Sequence, residues 1–352
     1  MNKCQVTIAI PVFNVELYIE KSLLSALNQD FEHFFEVLII DDCGSDNSMK
    51  IIRKVLEANH RNNIVRIVKH ESNKGLGPAR NTAINNANGK YLFFLDSDDW
   101  ISSDCISILY DKAEKTGSDV TVGSIVRIDE KSKKKIGDRI YPNKTIETEA
   151  AGIYMINHAP DMHIEVWNKL YKTDFLKKNN IKCVHRIFED YNFDFIMRST
   201  ALKITLCSDI TLYYNIRSNS ILTSLKAKGT TEAAQTLCDI ISTLQILVTN
   251  LYSNVAGIYD LYFQRAIWVM ENLNRYSFCE SDNQYIHDKI KGYCSFVPNA
   301  SLLNNPKHAY IYKRCKDNES LENFVFVNNQ SNRIINKVIF KIIKLLQYVV
   351  HI

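Results

Sequence analysis

"GKYLFFLDSDDW", residues 89–100, carries an apolar run from Tyr91 to Leu95 straight into three carboxylates, Asp96, Asp98 and Asp99. A short apolar run bounded by Gly89 and a cluster of acids reads as a strand buried on both faces, the kind a parallel sheet uses. Ligands bind such a sheet beyond the carboxyl ends of its strands, so the acids stand where a site is expected. Like charges this close repel one another unless a cation neutralises them, and a hard divalent ion is the economical partner. The competing reading is local. Ser97, Asp98 and Asp99 are good N-cap types ahead of the helical pattern "ISSDCISILYDKAEK" (101–115), and an Asx turn with a cap would use them without any metal.

The surrounding chain supports the sheet. "QVTIAIPVFN" (5–14), "FEVLIIDD" (35–42) and "IVRIVKH" (64–70) read as strands, and "LYIEKSLLSALNQ" (17–29), "SMKIIRKVLEANH" (48–60) and "ARNTAINNA" (79–87) as the helices between them. That alternation predicts an α/β fold with a mainly parallel central sheet flanked by helices. A second acidic pair, Asp41 and Asp42, ends the second strand. From about 119 to 225 short strands and helices mix, as in "DVTVGSIVRID" (119–129) and "KITLCSDITLYYNIRSNS" (203–220), and the lysine-rich "EKSKKK" (130–135) reads as a solvated turn. After 226 the pattern is mostly helical. The expected organisation is therefore one domain over 1–225, divided near 118/119, and a helical C-terminal region over 226–352.

Composition narrows the class of function. The chain has 43 Lys and Arg against 39 Asp and Glu, a net charge of +4, which excludes a globally basic nucleic-acid binder. Nine scattered cysteines without a C-x-x-C pair argue against a disulfide framework or a zinc ribbon and for a reducing compartment. The N-terminal apolar run is too short for a signal peptide, and no uncharged stretch reaches the roughly 18 residues a bilayer span needs. The expected location is the cytoplasm, with any membrane contact peripheral, at the inner face of the cell membrane. A basic amphipathic helix over 333–351 sets Ile335, Ile339, Ile342 and Leu346 on one face and Lys337, Lys341 and Lys344 on the other. It suits either an anionic membrane surface or its own domain.

Seven blocks in order, "IPVFN" (10–14), "FEVLIIDDCGSDNS" (35–48), "NKGLGPARN" (73–81), "GKYLFFLDSDDW" (89–100), "WNKLYKTDFL" (167–176), "FED" (188–190) and "YYNIRSNSI" (213–221), resemble the family 2 glycosyltransferases of bacterial surface-polysaccharide type. The match covers roughly the first 225 residues; Cys43 departs from the family's usual "D-D-G-S". The resemblance implies an inverting enzyme with the GT-A fold. It would move a sugar from a UDP-sugar donor to a hydroxyl of a glycan acceptor, lipid-linked in many such enzymes, and leave a β-linkage. It implies that Pro11, Val12, Phe13 and Asn14 line the base pocket, that Asp42 or Asp41 holds the base or ribose, and that Arg80 lies near the uridine with Asn81 bracing its loop. Asp96 and Ser97 would belong to the nucleotide site and Asp98 would hold a divalent metal, Mn²⁺ or Mg²⁺. Asp190 corresponds to the catalytic base, with Glu189 positioning it or the acceptor, while Trp100, Arg217 and Ser220 are candidate diphosphate or acceptor contacts.

Read without the family, "FEDYNFDF" is an acid-rich helix start, where negative charge is favoured, an arginine in the first turns of a helix is ordinarily exposed, and Trp167 is a core residue. His185, just before the base, is the one histidine near the expected site. A dinucleotide-dependent oxidoreductase would need a complete G-x-G-x-x-G after the first strand; here "GLG" (75–77) follows the third, and Arg80 takes the place of the last glycine. A nucleotidyltransferase would need a basic, glycine-rich first loop, which "PVFNVELY" is not. A non-catalytic sugar-nucleotide-binding or scaffold protein is the remaining alternative, and the presence of both Asp98 and Asp190 weighs against it.

Overall fold

A computed structural model describes residues 3–158, 162–185, 187–217, 230–252, 257–262 and 264–265. Ser220 and the expected helix at 333–351 lie outside them. The first half alternates as the sequence predicts: β1 (Val6–Val12), α1 (Ile19–Leu27), β2 (Phe35–Asp41), α2 (Ser48–Ala58), β3 (Val65–Lys69), α3 (Leu76–Asn86) and β4 (Tyr91–Phe94). The second half comprises β5 (Trp100–Ile101), α4 (Cys105–Thr116), β6 (Val120–Asp129), β7 (Lys135–Arg139), β8 (Lys144–Glu147), α5 (Ala151–His158), β9 (Lys169–Lys172), α6 (Thr173–Lys178), α7 (Asp190–Thr200) and β10 (Lys203–Ile216). A further helix, α8 (Thr231–Leu247), follows, capped by the Thr230 side chain, which accepts from the Ala233 amide.

Among the described residues the ten strands form one sheet in the order β3-β2-β1-β4-β9-β6-β10-β5, with β7 on β6 and β8 on β10. The pairs among β1 to β4 are parallel. β9 runs antiparallel to both β4 and β6 and joins the two halves. The chain winds outward from β1 to β3 and then returns to place β4 on β1's other side, so the strand order reverses between β1 and β4. A crevice opens at the carboxyl ends of the strands at such a reversal. Both "PVFN" and "DSDDW" emerge there.

Strand alternation divides the core into two layers. Val6, Ile8, Ile10, Val37, Ile39, Tyr91 and Phe93 face α1, α2 and α4, while Ala9, Leu38, Ile40, Leu92 and Phe94 face α3, α5, α6 and α7. Both layers are needed because a sheet covered on two faces has no solvated side, which explains why these strands are apolar throughout. The turn after β6 is exposed at Lys131, Lys133 and Lys134, as expected of a solvated turn. Among the described residues no helix is long and apolar enough to cross a membrane.

Three local expectations are corrected. α3 begins at Leu76, three residues earlier than the pattern suggested, because Gly75 turns the chain at φ 94°, a conformation glycine adopts without cost. The cap reading of Ser97, Asp98 and Asp99 fails: β5 intervenes, and α4 starts only at Cys105, with Asp104 at its N-cap position. Arg80 is not exposed but 1% accessible, since α3 packs its N-terminal turns beneath the segment leading to α7.

Candidate active site

The loops after β1 and β2 brace each other. Pro11 and Val12 are buried within β1, whereas Phe13 is 44% exposed beyond its end. Asn14, at φ 51°, accepts from the Ser45 amide at 2.8 Å. Asp41 accepts from the Cys43 amide at 3.0 Å, and Cys43 takes φ 58°, so the residue that departs from the family's glycine occupies a glycine-like conformation. The Asp42 carboxylate accepts from the amides of Lys74 and Gly75 at 2.9 and 2.8 Å and lies 2.6 Å from His70 Nδ1. His70 continues to Thr82 Oγ1 at 2.8 Å. Asp42 thus fastens the loop that starts α3. Sequence reasoning passed over His70, although its position at the end of a strand was the signal.

At the end of β4, carboxylate oxygens of Asp96, Asp98 and Asp99 lie within 4.8 Å of one another. The turn is closed by the Asp99 amide donating to the Asp96 carbonyl at 3.1 Å, and Ser97 is buried within it. Asp99 Oδ1 accepts from the Asn215 amide at 2.8 Å, while Oδ2 is buried with no partner. Asp98 Oδ2 lies 2.6 Å from Arg217 Nε. Burial raises the Asp98 carboxyl above its usual range and Arg217 partly counters it; burial, Asp98 and Asp96 push Asp99 well up. Three convergent oxygens and an orphaned carboxylate lone pair fit a hard divalent cation, which prefers oxygen ligands and leaves positions open for phosphate.

Arg80 joins this cluster to the start of α7. Its Nη2 donates to Asp96 Oδ1 at 2.9 Å, and its Nη1 to Asp190 Oδ1 at 2.8 Å and to Glu189. Asp190 Oδ1 also accepts from the Val166 amide at 3.1 Å. Burial works against the Arg80 charge, but Asp96, Asp190 and Glu189 together outweigh it and hold the guanidinium firmly protonated. Asp190 is pushed well above the usual carboxylate range by burial and by Glu189, with Arg80 pulling the other way; Glu189 is raised by burial against the same pull. The Asp190 and Asp96 side chains remain 19% and 21% exposed, so both face the crevice while Arg80 lies behind them.

Two contacts that sequence reasoning did not supply set this arrangement. Gly77 lies so close to the 183–189 segment that a Cβ there would stand 2.0 Å from the His185 carbonyl oxygen. Asn81 braces that segment, rather than its own loop, by donating to the Cys183 carbonyl at 2.7 Å and accepting from the Cys183 amide at 2.8 Å. His185 contributes its backbone to this contact, and burial lowers its imidazole pKa.

Around the site, Trp100 stacks on Tyr213 at 5.5 Å and carries the Lys21 ammonium 2.8 Å from its ring centroid, so its ring is already engaged. Trp167 is 5% exposed and stacks between His163 and Tyr214, a core residue as expected. Its neighbour Asn168 is buried at φ 55° and ties β6 to β10 through Gly123 and Thr211.

The sequence model described as Glycosyl transferase family 2 matches residues 7–188. The chain is 32% identical over 203 residues to Glycosyltransferase GlyA of Streptococcus pneumoniae serotype 4, covering 54% of this chain and 26% of GlyA. It is 28% identical over 213 residues to the poly(ribitol-phosphate) beta-N-acetylglucosaminyltransferase TarS of Staphylococcus aureus strain MW2, covering 59% of this chain and 35% of TarS. The chain therefore spans about a quarter to a third of these relatives. The solved structure of S. aureus TarS 1–349 in complex with UDP-GlcNAc superposes with a TM-score of 0.65 at 21% identity, covering 88% of both chains. At that identity the likeness is one of fold.

Proposed function

The chain belongs to glycosyl transferase family 2 and has the GT-A fold, and from that premise we propose that it is an inverting glycosyltransferase of cell-surface polymer synthesis. It takes a UDP-sugar, α-linked at the donor, and builds a β-linkage to a hydroxyl of a glycan acceptor, lipid-linked in the bacterial setting. One observation carries the reading: Arg80 hydrogen-bonds both Asp96, in the strand-end cluster, and Asp190, at the start of α7. That shared guanidinium supports reading the strand-end acids, as diphosphate and metal site, and Asp190, as base, as parts of one crevice.

Inversion needs a single carboxylate opposite the leaving group to take the acceptor proton. In this reading Asp190 is that base, and the upward push of burial and Glu189 on its pKa makes the carboxylate more basic than an exposed one. Glu189, bound to the same guanidinium, orients it. Pro11, Val12, Phe13 and Asn14 with Asp41 hold the nucleotide end; Asp42 shapes that pocket through the 74–75 loop. A divalent cation, Mn²⁺ or Mg²⁺, held by Asp98 with Asp96 and Asp99 beside it, would offset the charge of the departing diphosphate. The proposed domain division is 1–225 for donor and acceptor binding and 226–352 for a helical region whose amphipathic sequence at 333–351 suits either an anionic membrane surface or its own domain. The names of the relatives, which describe transfer to poly(ribitol-phosphate) by TarS, support a polymer acceptor.

Calorimetric titration with UDP, with and without Mn²⁺, tests the donor site on the natural sequence and on Asp98→Ala. Metal-dependent binding lost in the variant is expected, followed by UDP release from one UDP-sugar in a screen, with Asp190→Asn binding but inactive. Failure of UDP and of every other nucleotide to bind would refute the reading.

A further inference from the structure

Arg217 directly follows β10 and stands at the edge of the acidic cluster. Its Nε lies 2.6 Å from Asp98 Oδ2, and both side chains are about four-fifths buried, at 19% and 18% exposure. Its guanidinium also lies over the Tyr18 ring, 5.2 Å from the centroid. Tyr18 is itself fixed, its hydroxyl donating to Glu130 Oε1 at 2.5 Å, and the Glu130 amide donates to the Ile216 carbonyl at 3.0 Å. Residues from the start of α1, the turn after β6 and the end of β10 thus build one seat for one cation. That seat puts a positive charge on the carboxylate which the proposed function gives to the metal.

We infer that Arg217 is the resident counter-ion of Asp98 and competes with the divalent cation for it. This rests on the reading of Asp98 as a metal ligand. A guanidinium at ion-pair distance draws on the same negative charge and occupies one side of the carboxylate, so a divalent ion that binds Asp98 does so against its repulsion unless the guanidinium withdraws. The ion pair also spares Asp98 from being buried beside Asp96 and Asp99 without compensation. Cation occupancy and the position of Arg217 are therefore linked: the pair holds the cluster together before the donor arrives, and weakens its grip on a free metal ion.

The test is Mn²⁺ binding by the full chain without nucleotide, read from the free-ion electron paramagnetic resonance signal. Four proteins are compared: the natural sequence, Arg217→Gln, Asp98→Asn and Lys21→Ala. Glutamine keeps the packing on Tyr18, and near-ultraviolet circular dichroism checks that each variant is folded. Losing a partly buried competitor of this kind should tighten Mn²⁺ binding about fivefold. The measurement is repeated at 0.5 M salt, where the Debye length falls to roughly 4 Å and remote charges are screened. Lys21→Ala, which removes a nearby cation that does not touch Asp98, should change the affinity by less than about twofold.

A gain in Arg217→Gln that persists in salt and exceeds that of Lys21→Ala supports competition. Equal gains in the two variants, no gain, or weaker binding overturn it. If Asp98→Asn abolishes Mn²⁺ binding while Arg217→Gln leaves it unchanged, only the competition is refuted. If none of the four proteins binds Mn²⁺, the metal reading of Asp98 falls and the inference with it.

Discussion

Replacing Arg80 by methionine keeps the length of the side chain and removes the one cation shared by Asp96, Glu189 and Asp190. The guanidinium is 1% exposed, so no water replaces its hydrogen bonds. Breaking a buried ion pair by deleting one partner costs about 3–5 kcal/mol, because the remaining charge is left uncompensated. Here several carboxylates are left, which favours the upper end, but they escape part of the cost by taking protons. That escape fixes the sign of the pH dependence. Glu189 and Asp190 already have raised folded-state pKa values, so keeping them ionised in the fold costs stability. The cost is absent at acid pH, where both states are protonated, and grows as pH rises from the unfolded carboxylate pKa through the raised folded one. Arg80 opposes that rise, and methionine does not. Urea unfolding should therefore show a small loss at pH 5 and about 3–5 kcal/mol near pH 8, with Glu189→Gln recovering part of it in the double variant. A loss below about 1 kcal/mol at pH 8, the value of an exposed pair, or an equal loss at both pH values, would refute the view that Arg80 holds the carboxylates together.

Further outcomes follow from the same geometry. The acid limb of kcat/KM should lie above the ordinary carboxylate range, activity falling as pH falls through the raised Asp190 pKa, and Arg80→Lys should move that limb; a limb at an ordinary aspartate value would remove Asp190 as the base. Gly77→Ala places a Cβ 2.0 Å from the His185 carbonyl oxygen, so it should destabilise by about 1–3 kcal/mol despite alanine's better helix propensity, with loss of transfer; a neutral effect in thermal unfolding would contradict the contact. Asn81→Ala removes both hydrogen bonds to Cys183 and leaves buried backbone groups unpaired, a cost of about 1–3 kcal/mol, with kcat reduced more than UDP affinity, since the clamp serves the α7 end of the site.

The sheet and the acids at its strand ends follow from local pattern alone. Continuous apolar runs such as "FEVLII" and "YLFFL" admit few partners other than a sheet covered on both faces, and β1, β2 and β4 follow them closely. The carboxylates at strand ends were legible for the same reason, since a strand's terminus is a local property and its ligand-binding character follows from the architecture. How residues distant in sequence share charge depends instead on packing. Arg80 and Asp190 are 110 positions apart, and no local signal marks an arginine in the first turns of a helix as buried; it is buried because Gly77 lets α3 approach the segment before α7. Asp42 reads as a ligand for the nucleotide, yet the fold fastens it to His70 and the 74–75 loop. Asp98 reads as a metal ligand, yet the fold sets Arg217 against it. Periodicity specifies which face of an element is buried, but the partner a buried charge finds depends on how elements pack, and that is fixed only when the whole chain has folded.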